Sequence, residues 1–440
     1  MGDAYLAFTA VQIVWIGFSV LWAIRRHDEL PLIASVFLCY IFSFRFWAIL
    51  QGWANPVNLG HFGFDDPTFL TLIEAHGLGV LGQSAFLAAY MVVQKHQVVV
   101  SQVTLRSDVL RRIRTVVFVL ISLCLPVALL ARASVAAQAA AGRSTAFEVT
   151  SYLSLFPLAL VGTVVLLAAL LRARAFAGLF SATSAILSLL AIAVVTFQPS
   201  LRFQFLGWVV AVTVIFSSGK SIARKAWIVT CGLVVAVCAF AVAGALRNAD
   251  DPEALLQENA WERFAFAQDA NMLDGFVLLR QVYPDMLDYS YGGEHLEILQ
   301  RPIPRKLWPN KPVGGYMNKL GIIDIYTGFT LGISPSLFGS FYQEGAIFGL
   351  ILLSALYGYA FARLVRFSAT VEPFTGLVIR GCACAALIPL LRGGDLPGIY
   401  AWFGMSFWPV ALVLWIYRRE LFYRPHTAQS AVPQAVSATG

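Results

Sequence analysis

The stretch Gln300–Pro312, QRPIPRKLWPNKP, sets four cations, four prolines and Trp308 within thirteen residues. Proline restricts its own backbone and pushes the preceding residue toward an extended shape, so this arm is ordered before any ligand arrives. Arg305 offers a planar, five-donor fork suited to phosphate, while Lys306 and Lys311 are point charges and Arg301 adds a further cation. Trp308 can stack on a sugar face or lie at a membrane interface. The combination suits a pyrophosphate carrying a sugar. It also suits an anchor in lipid headgroups, and residue types alone leave both readings open.

Other residues invite the same question. Arg202 follows TFQPS, and Arg392 opens RGGDLPG. Either can be an arginine snorkelling to an interface, or both can face the cavity that Arg305 serves. Glu344 lies in GISPSLFGSFYQEGAIFGL, where Gly339, Gly345 and Gly349 permit close helix approach. The turn YSYGG, Tyr289–Gly293, carries two phenols, and Tyr291 is a candidate sugar contact. A proton acceptor can be sought among Asp269, Asp288, Glu294, Asp324 and Glu344, or in His61 and His295, with no basis for choosing. Arg45 and Glu74 fall within apolar stretches and are expected to pair; Arg380 lies in another with no evident partner. SSGK, Ser217–Lys220, lacks the upstream glycine of a phosphate-binding loop. Six scattered histidines and six cysteines in apolar runs show no metal spacing and no disulfide framework. No metal and no cofactor is expected.

The elements that position these residues must be membrane helices. Of 440 residues, 59% are hydrophobic and only 12% charged; the mean hydropathy is +0.73. The net charge of +7 therefore reads as topology rather than nucleic-acid binding. Apolar runs predict about eleven spans: 4–24, 31–50, 68–93, 115–132, 149–171, 176–197, 202–218, 226–246, 336–362, 374–391 and 400–417. Tyr5–Ile24 is too long and lacks the charge for a cleavable signal. With the N-terminus outside the cytoplasm, the inside segments hold 17 of the 31 Lys and Arg, whereas the short outside loops hold only Arg132, Arg143, Arg202 and Arg392. The expected organisation is an all-α polytopic protein. It comprises a transmembrane bundle over 1–246, a large outside loop over 247–335 and three spans within 336–424. A polar cytoplasmic tail over 425–440 completes it. Within the loop, Asp250–Glu297 has eleven acidic and two basic residues, and Ile298–Ile323 has five basic and none acidic. That segregation can hold an anion beside a carboxylate.

IPRKLWPNKP, Ile303–Pro312, resembles the outer-loop signature of Wzy-type oligosaccharide repeat-unit polymerases, the O-antigen and exopolysaccharide polymerases. GISPSLFGSFYQEGAIFG is similar to that family's glycine-rich entry into the next span, and RFQFLGW, Arg202–Trp208, to its arginine-led span. The resemblance implies a multi-pass protein of the bacterial cytoplasmic membrane that acts as a glycosyltransferase. Its donor would be a glycan on undecaprenyl pyrophosphate, and its acceptor a hydroxyl of another lipid-linked repeat unit. Arg305, Arg202, Arg392 and Glu344 would be catalytic, and Arg301, Lys311, Trp308 and Tyr291 would bind substrate. A chain-length regulator and a flippase of the same pathway would be partners, together with membrane lipid. The competing classes are an O-antigen ligase-like transferase and a lipid-linked sugar transporter.

Overall fold

The computed structural model describes residues 2–60, 63–95, 105–140, 156–176, 179–197, 202–247, 270–301, 303, 307–308, 315–320 and 333–422. Among these the chain is helical, with no strand beyond one isolated backbone bridge between Ser336 and Gly393. The helices are α1 Gly2–Arg26, α2 Leu30–Leu50, α3 Phe69–Val93, α4 Ser107–Ala140, α5 Ala159–Arg172, α6 Leu179–Thr196, α7 Arg202–Ser217, α8 Ile222–Arg247, α9 Met272–Val282, α10 Gly293–Gln300, α11 Tyr316–Lys319, α12 Ser336–Thr370, α13 Pro373–Arg392, α14 Leu396–Ile416 and α15 Arg418–Phe422. Among the described residues eight helices (α1–α4, α8 and α12–α14) are long and apolar enough to cross a membrane. The apolar helices Phe156–Arg172, Ala182–Thr196 and Phe205–Ser217 are shorter.

The bundle is organised around α13. Nearly all of its side chains are buried, and it packs on α7, α12, α5 and α2. Small residues make this possible. A Cβ on Gly207 of α7 would lie 2.3 Å from the Ala385 carbonyl oxygen, and one on Gly376 would lie 2.3 Å from that of Ser368. Two hydrophobic clusters meet at α13: one is built largely on α1–α3, α9 and α12, the other on α4–α7 and α14. Arg380 sits within α13 and does have a partner, Glu29 at 3.0 Å, which Lys225 also engages at 2.6 Å. A guanidinium this deep in a helix bundle is tolerated only when paired.

The contacts gather the basic helix ends at one end of the bundle. Arg114 donates to the Ala175 carbonyl, Arg172 to that of Ser218, and Lys225 reaches Glu29 in the α1–α2 turn. α4 begins earlier than its apolar run suggests, so Arg111, Arg112 and Arg114 occupy its first turns rather than a loop.

At the opposite end the described part of the segment between α8 and α12 includes a helix packed into the bundle. α9 is wedged between α3 and α12, with Met272, Leu273, Phe276, Leu278 and Leu279 fully buried. Asp274 of α9 explains Arg45. The two form a buried ion pair at 3.0 Å, and Asp274 also accepts from the Val57 amide. The expected Arg45–Glu74 pair is therefore not formed; Glu74 instead binds Arg280 of α9. The inserted segment supplies both partners, and it lies more than two hundred residues away in sequence.

Candidate functional site

Glu344 ends the first part of a broken helix. Within α12, Gly345 has φ 172° and ψ 45°, and Ala346 has φ 53° and ψ −143°. The positive φ of Ala346 is costly for a residue with a Cβ and persists only where surrounding contacts enforce it. The break leaves carbonyls without helical amide partners. The turn Tyr289–Gly293 supplies them: Ser290 N–H donates to the Gln343 carbonyl at 2.9 Å, and Tyr291 N–H to that of Glu344 at 3.0 Å. Tyr291 and Gly292 take positive φ of 45° and 92° to bring these amides round. The same turn binds the Glu344 side chain, through the Gly292 amide and through the Ser290 hydroxyl at 3.1 Å.

His295, on the first turn of α10, completes the cluster. Its Nδ1 lies 2.9 Å from Glu344 Oε1 and its Nε2 lies 3.0 Å from the Tyr357 hydroxyl, which accepts from Tyr400 at 2.7 Å. Glu344 is sealed, with a side-chain exposure of 3%, whereas that of His295 is 29%. A carboxylate cannot donate, so Nδ1–H donates to Glu344 and leaves the Nε2 lone pair to the Tyr357 hydroxyl. The hydrogen bonds then run in one direction, Tyr400 to Tyr357 to His295 to Glu344. An imidazole held by a carboxylate in this way can accept a proton at Nε2, because the carboxylate stabilises the imidazolium that forms.

Charged pairs form a rim along α10, the helix that carries His295. Lys319 of α11 binds Glu294 at 2.7 Å and Glu297 at 3.3 Å. Burial pushes the Glu294 carboxyl up, and Lys319 opposes this only in part. Burial works against the Lys319 charge, but Glu294 and then Glu297 outweigh it and hold the ammonium above its usual value. Arg301 lies 3.5 Å from Asp395, whose carboxyl burial also raises. The RGGD turn is fixed to the start of α12: Ser334 Oγ donates to the Arg392 carbonyl and Ser340 Oγ to that of Gly394. Beside the rim, Tyr289 stacks on Tyr283 and meets Tyr291 and Tyr342 edge-on. Burial and then Tyr342 push the Tyr289 phenol up to about 12, so it stays neutral.

The structure brings some of the expected residues together. Glu344, Tyr291, Arg301 and the Arg392–Asp395 turn all border the same end of the bundle. Tyr291 is 80% exposed beside the Glu344 turn. Arg202 begins α7, but its side chain lies outside the described residues, as do Arg305, Lys306, Lys311, Asp269, Asp324 and His61 entirely. Trp308 is described and half-buried. Among the candidate proton acceptors that are described, Asp288 is exposed, Glu294 is committed to Lys319, and His295 and Glu344 are paired with each other. Tyr357, Tyr400 and Ser290 carry no sequence signal as site residues; Tyr357 stands thirteen positions beyond Glu344 on the far side of the break. Among the described residues no group of His, Cys, Asp and Glu is arranged to hold a metal ion. Comparisons with protein-family models, with curated proteins and with solved structures find no match for this chain.

Proposed function

We propose that this protein is a membrane glycosyltransferase that polymerises oligosaccharide repeat units carried on a lipid pyrophosphate. Its reaction site would be the Glu344–His295 pair. The observation that carries the reading is the carboxylate–imidazole–phenol chain at the break of α12, with Arg301 and the exposed Tyr291 at the same end of the bundle. On this reading the eleven apolar helices are spans, with the basic helix ends toward the cytoplasm and the site toward the outer surface.

In the reaction the acceptor hydroxyl attacks the anomeric carbon of the donor. A C–O bond forms, the anomeric bond to the lipid pyrophosphate breaks, and the hydroxyl proton passes to His295 Nε2. Tyr357, already hydrogen-bonded to that nitrogen, can relay it when a sugar hydroxyl takes the place of Tyr400. The leaving pyrophosphate gains negative charge, which favours cations at the rim. Arg301 and the turn that begins at Arg392 lie at the same end of the bundle, and Arg392, Arg305, Arg202 and Lys311 are proposed as further cations on the sequence resemblance. Tyr291 and Trp308 would stack on sugar faces.

A lipid-linked sugar transporter is the second reading, favoured by the broken helix itself. Discontinuous spans in transporters place backbone groups and charges at a substrate site. The test is glycan chain length in a strain lacking the gene, complemented with wild type, His295→Ala or Tyr357→Phe. Single repeat units on the outer surface in the deletion strain, with long chains restored by wild type but not by His295→Ala, support the polymerase. Repeat units that never reach the outer surface support the transporter. Full-length chains from His295→Ala would sink the assignment of the pair.

A further inference from the structure

An open groove of about 600 Å³ runs along α3 on the bundle surface. Its walls are apolar: Phe8 and Val11 from α1, Ile73, Leu78 and Leu81 from α3, and Ile347 from α12. Its head end is different. Glu74 and Arg280 form an ion pair there, and both stay partly open to solvent, at 43% and 31%. The groove thus has one anion, one cation and the Tyr342 phenol at its mouth, and hydrocarbon below as far as Ser84. None of these residues belongs to the Glu344–His295 cluster.

Its length is set by α3. Glu74 lies at the head and Ser84 at the foot, ten residues apart, which at about 1.5 Å each is about 15 Å. That is half of a hydrocarbon core of about 30 Å, the depth of a single leaflet. An acyl chain of an ordinary bilayer lipid fits this depth, whereas a much longer polyprenyl chain would overrun it. Glycine shapes the upper wall. A Cβ on Gly77 would lie 2.9 Å from the tip of the Phe8 ring, so the glycine gives that ring room to lie against α3 in the groove wall.

We propose that this groove is a binding site for a zwitterionic aminophospholipid, with one acyl chain lying along α3 and the headgroup exchanging with the Glu74–Arg280 pair. The lipid phosphate takes Arg280, and the primary ammonium donates to Glu74. Both protein charges stay paired throughout, so no buried charge is stranded. A primary ammonium is required because a quaternary one has no N–H to give the carboxylate. A purely anionic headgroup satisfies Arg280 but leaves Glu74 facing like charge.

The test uses the full chain purified in detergent and titrated with phosphatidylethanolamine, phosphatidylcholine, phosphatidylglycerol or a polyprenyl phosphate. Bound lipid is counted by native mass spectrometry. Wild type is expected to hold one phosphatidylethanolamine about tenfold more tightly than the other two phospholipids, the equivalent of one charge-assisted hydrogen bond. Glu74→Gln should erase that preference, Arg280→Ala should weaken all three, and Leu81→Trp should abolish binding by filling the groove. Leu81 is 37% exposed, so this last change leaves the core intact. If Glu74→Gln fails to fold, the comparison of headgroups on wild type and Leu81→Trp decides alone. Equal affinity for all three phospholipids, undiminished binding by Leu81→Trp, or displacement by polyprenyl phosphate at lower concentration would each overturn the proposal.

Discussion

Glu344→Gln isolates the charge of the one carboxylate at the break of α12 while keeping its size. Three donors converge on that carboxylate: the His295 Nδ1–H, the Ser290 hydroxyl and the Gly292 amide. A glutamine has one acceptor oxygen and one NH2 group, so when the oxygen keeps Ser290 and Gly292 the NH2 faces His295 Nδ1, which must lose its hydrogen bond or shift its proton to Nε2 and reverse the chain through Tyr357. Losing a hydrogen bond to a charged group costs about 1.5–3 kcal/mol, and stranding a buried donor adds about 1–3 kcal/mol. A total near 3 kcal/mol is expected, with the turn Tyr289–Gly293 loosened from Gln343 and Glu344. The functional loss should be larger than the structural one. Without the carboxylate the imidazolium at His295 is no longer stabilised, and general-base catalysis of this kind is worth about 10² to 10⁴ in rate. Two measurements check this: denaturant unfolding of the detergent-purified protein, and glycan chain length in complemented cells. Wild-type stability together with wild-type chain length would refute the whole argument. Loss of stability with full activity would leave Glu344 as a structural tie and remove His295 from the chemistry.

Arg45→Met should cost about 3–5 kcal/mol, because it strands Asp274 in the core; adding Asp274→Leu should recover most of it, which a double-mutant cycle measures. Gly393→Ala should prevent the RGGD turn from seating on α12. Gly393 has φ 71°, and its new Cβ would lie 2.0 Å from the Ser336 carbonyl carbon, so reduced thermal stability and protease nicking near Arg392 are expected. Lys319→Met should destabilise in a pH-dependent way. Glu294, already raised by burial, loses its main counter-charge and favours the protonated form still more. The penalty falls as pH drops toward the raised carboxyl value and grows above it, so the variant should approach wild-type stability in acid and diverge from it at neutral pH. Equal destabilisation at both pH values would mean that Glu294 does not carry the effect.

Much of the architecture was legible along the chain because membrane helices obey a local rule. A run of about 20 apolar residues must hydrogen-bond its own backbone, so α1, α2, α3 and α13 could be bounded within a few residues, whereas α12 runs on to Thr370, well past its expected end at 362. The clustering of basic helix ends was equally local. The site was less so. Glu344 was marked by its charge in an apolar run, and Tyr291 by its glycine-flanked turn. Nothing along the chain tied either to His295, which stands 49 positions from Glu344, or to Tyr357 and Tyr400. Pairing was the weakest inference. Arg45 and Glu74 occupy neighbouring apolar runs, yet each takes its partner from α9, a helix of the inserted segment that amphipathic pattern alone would leave at the surface. Which charges meet, where α12 breaks and which imidazole the freed carboxylate grips depend on side chains far apart in sequence packing at fixed distances, and only the folded bundle decides them. Composition and the length of the apolar runs pointed to a helical multi-pass membrane protein, because a single long apolar run satisfies its own backbone in hydrocarbon as a helix.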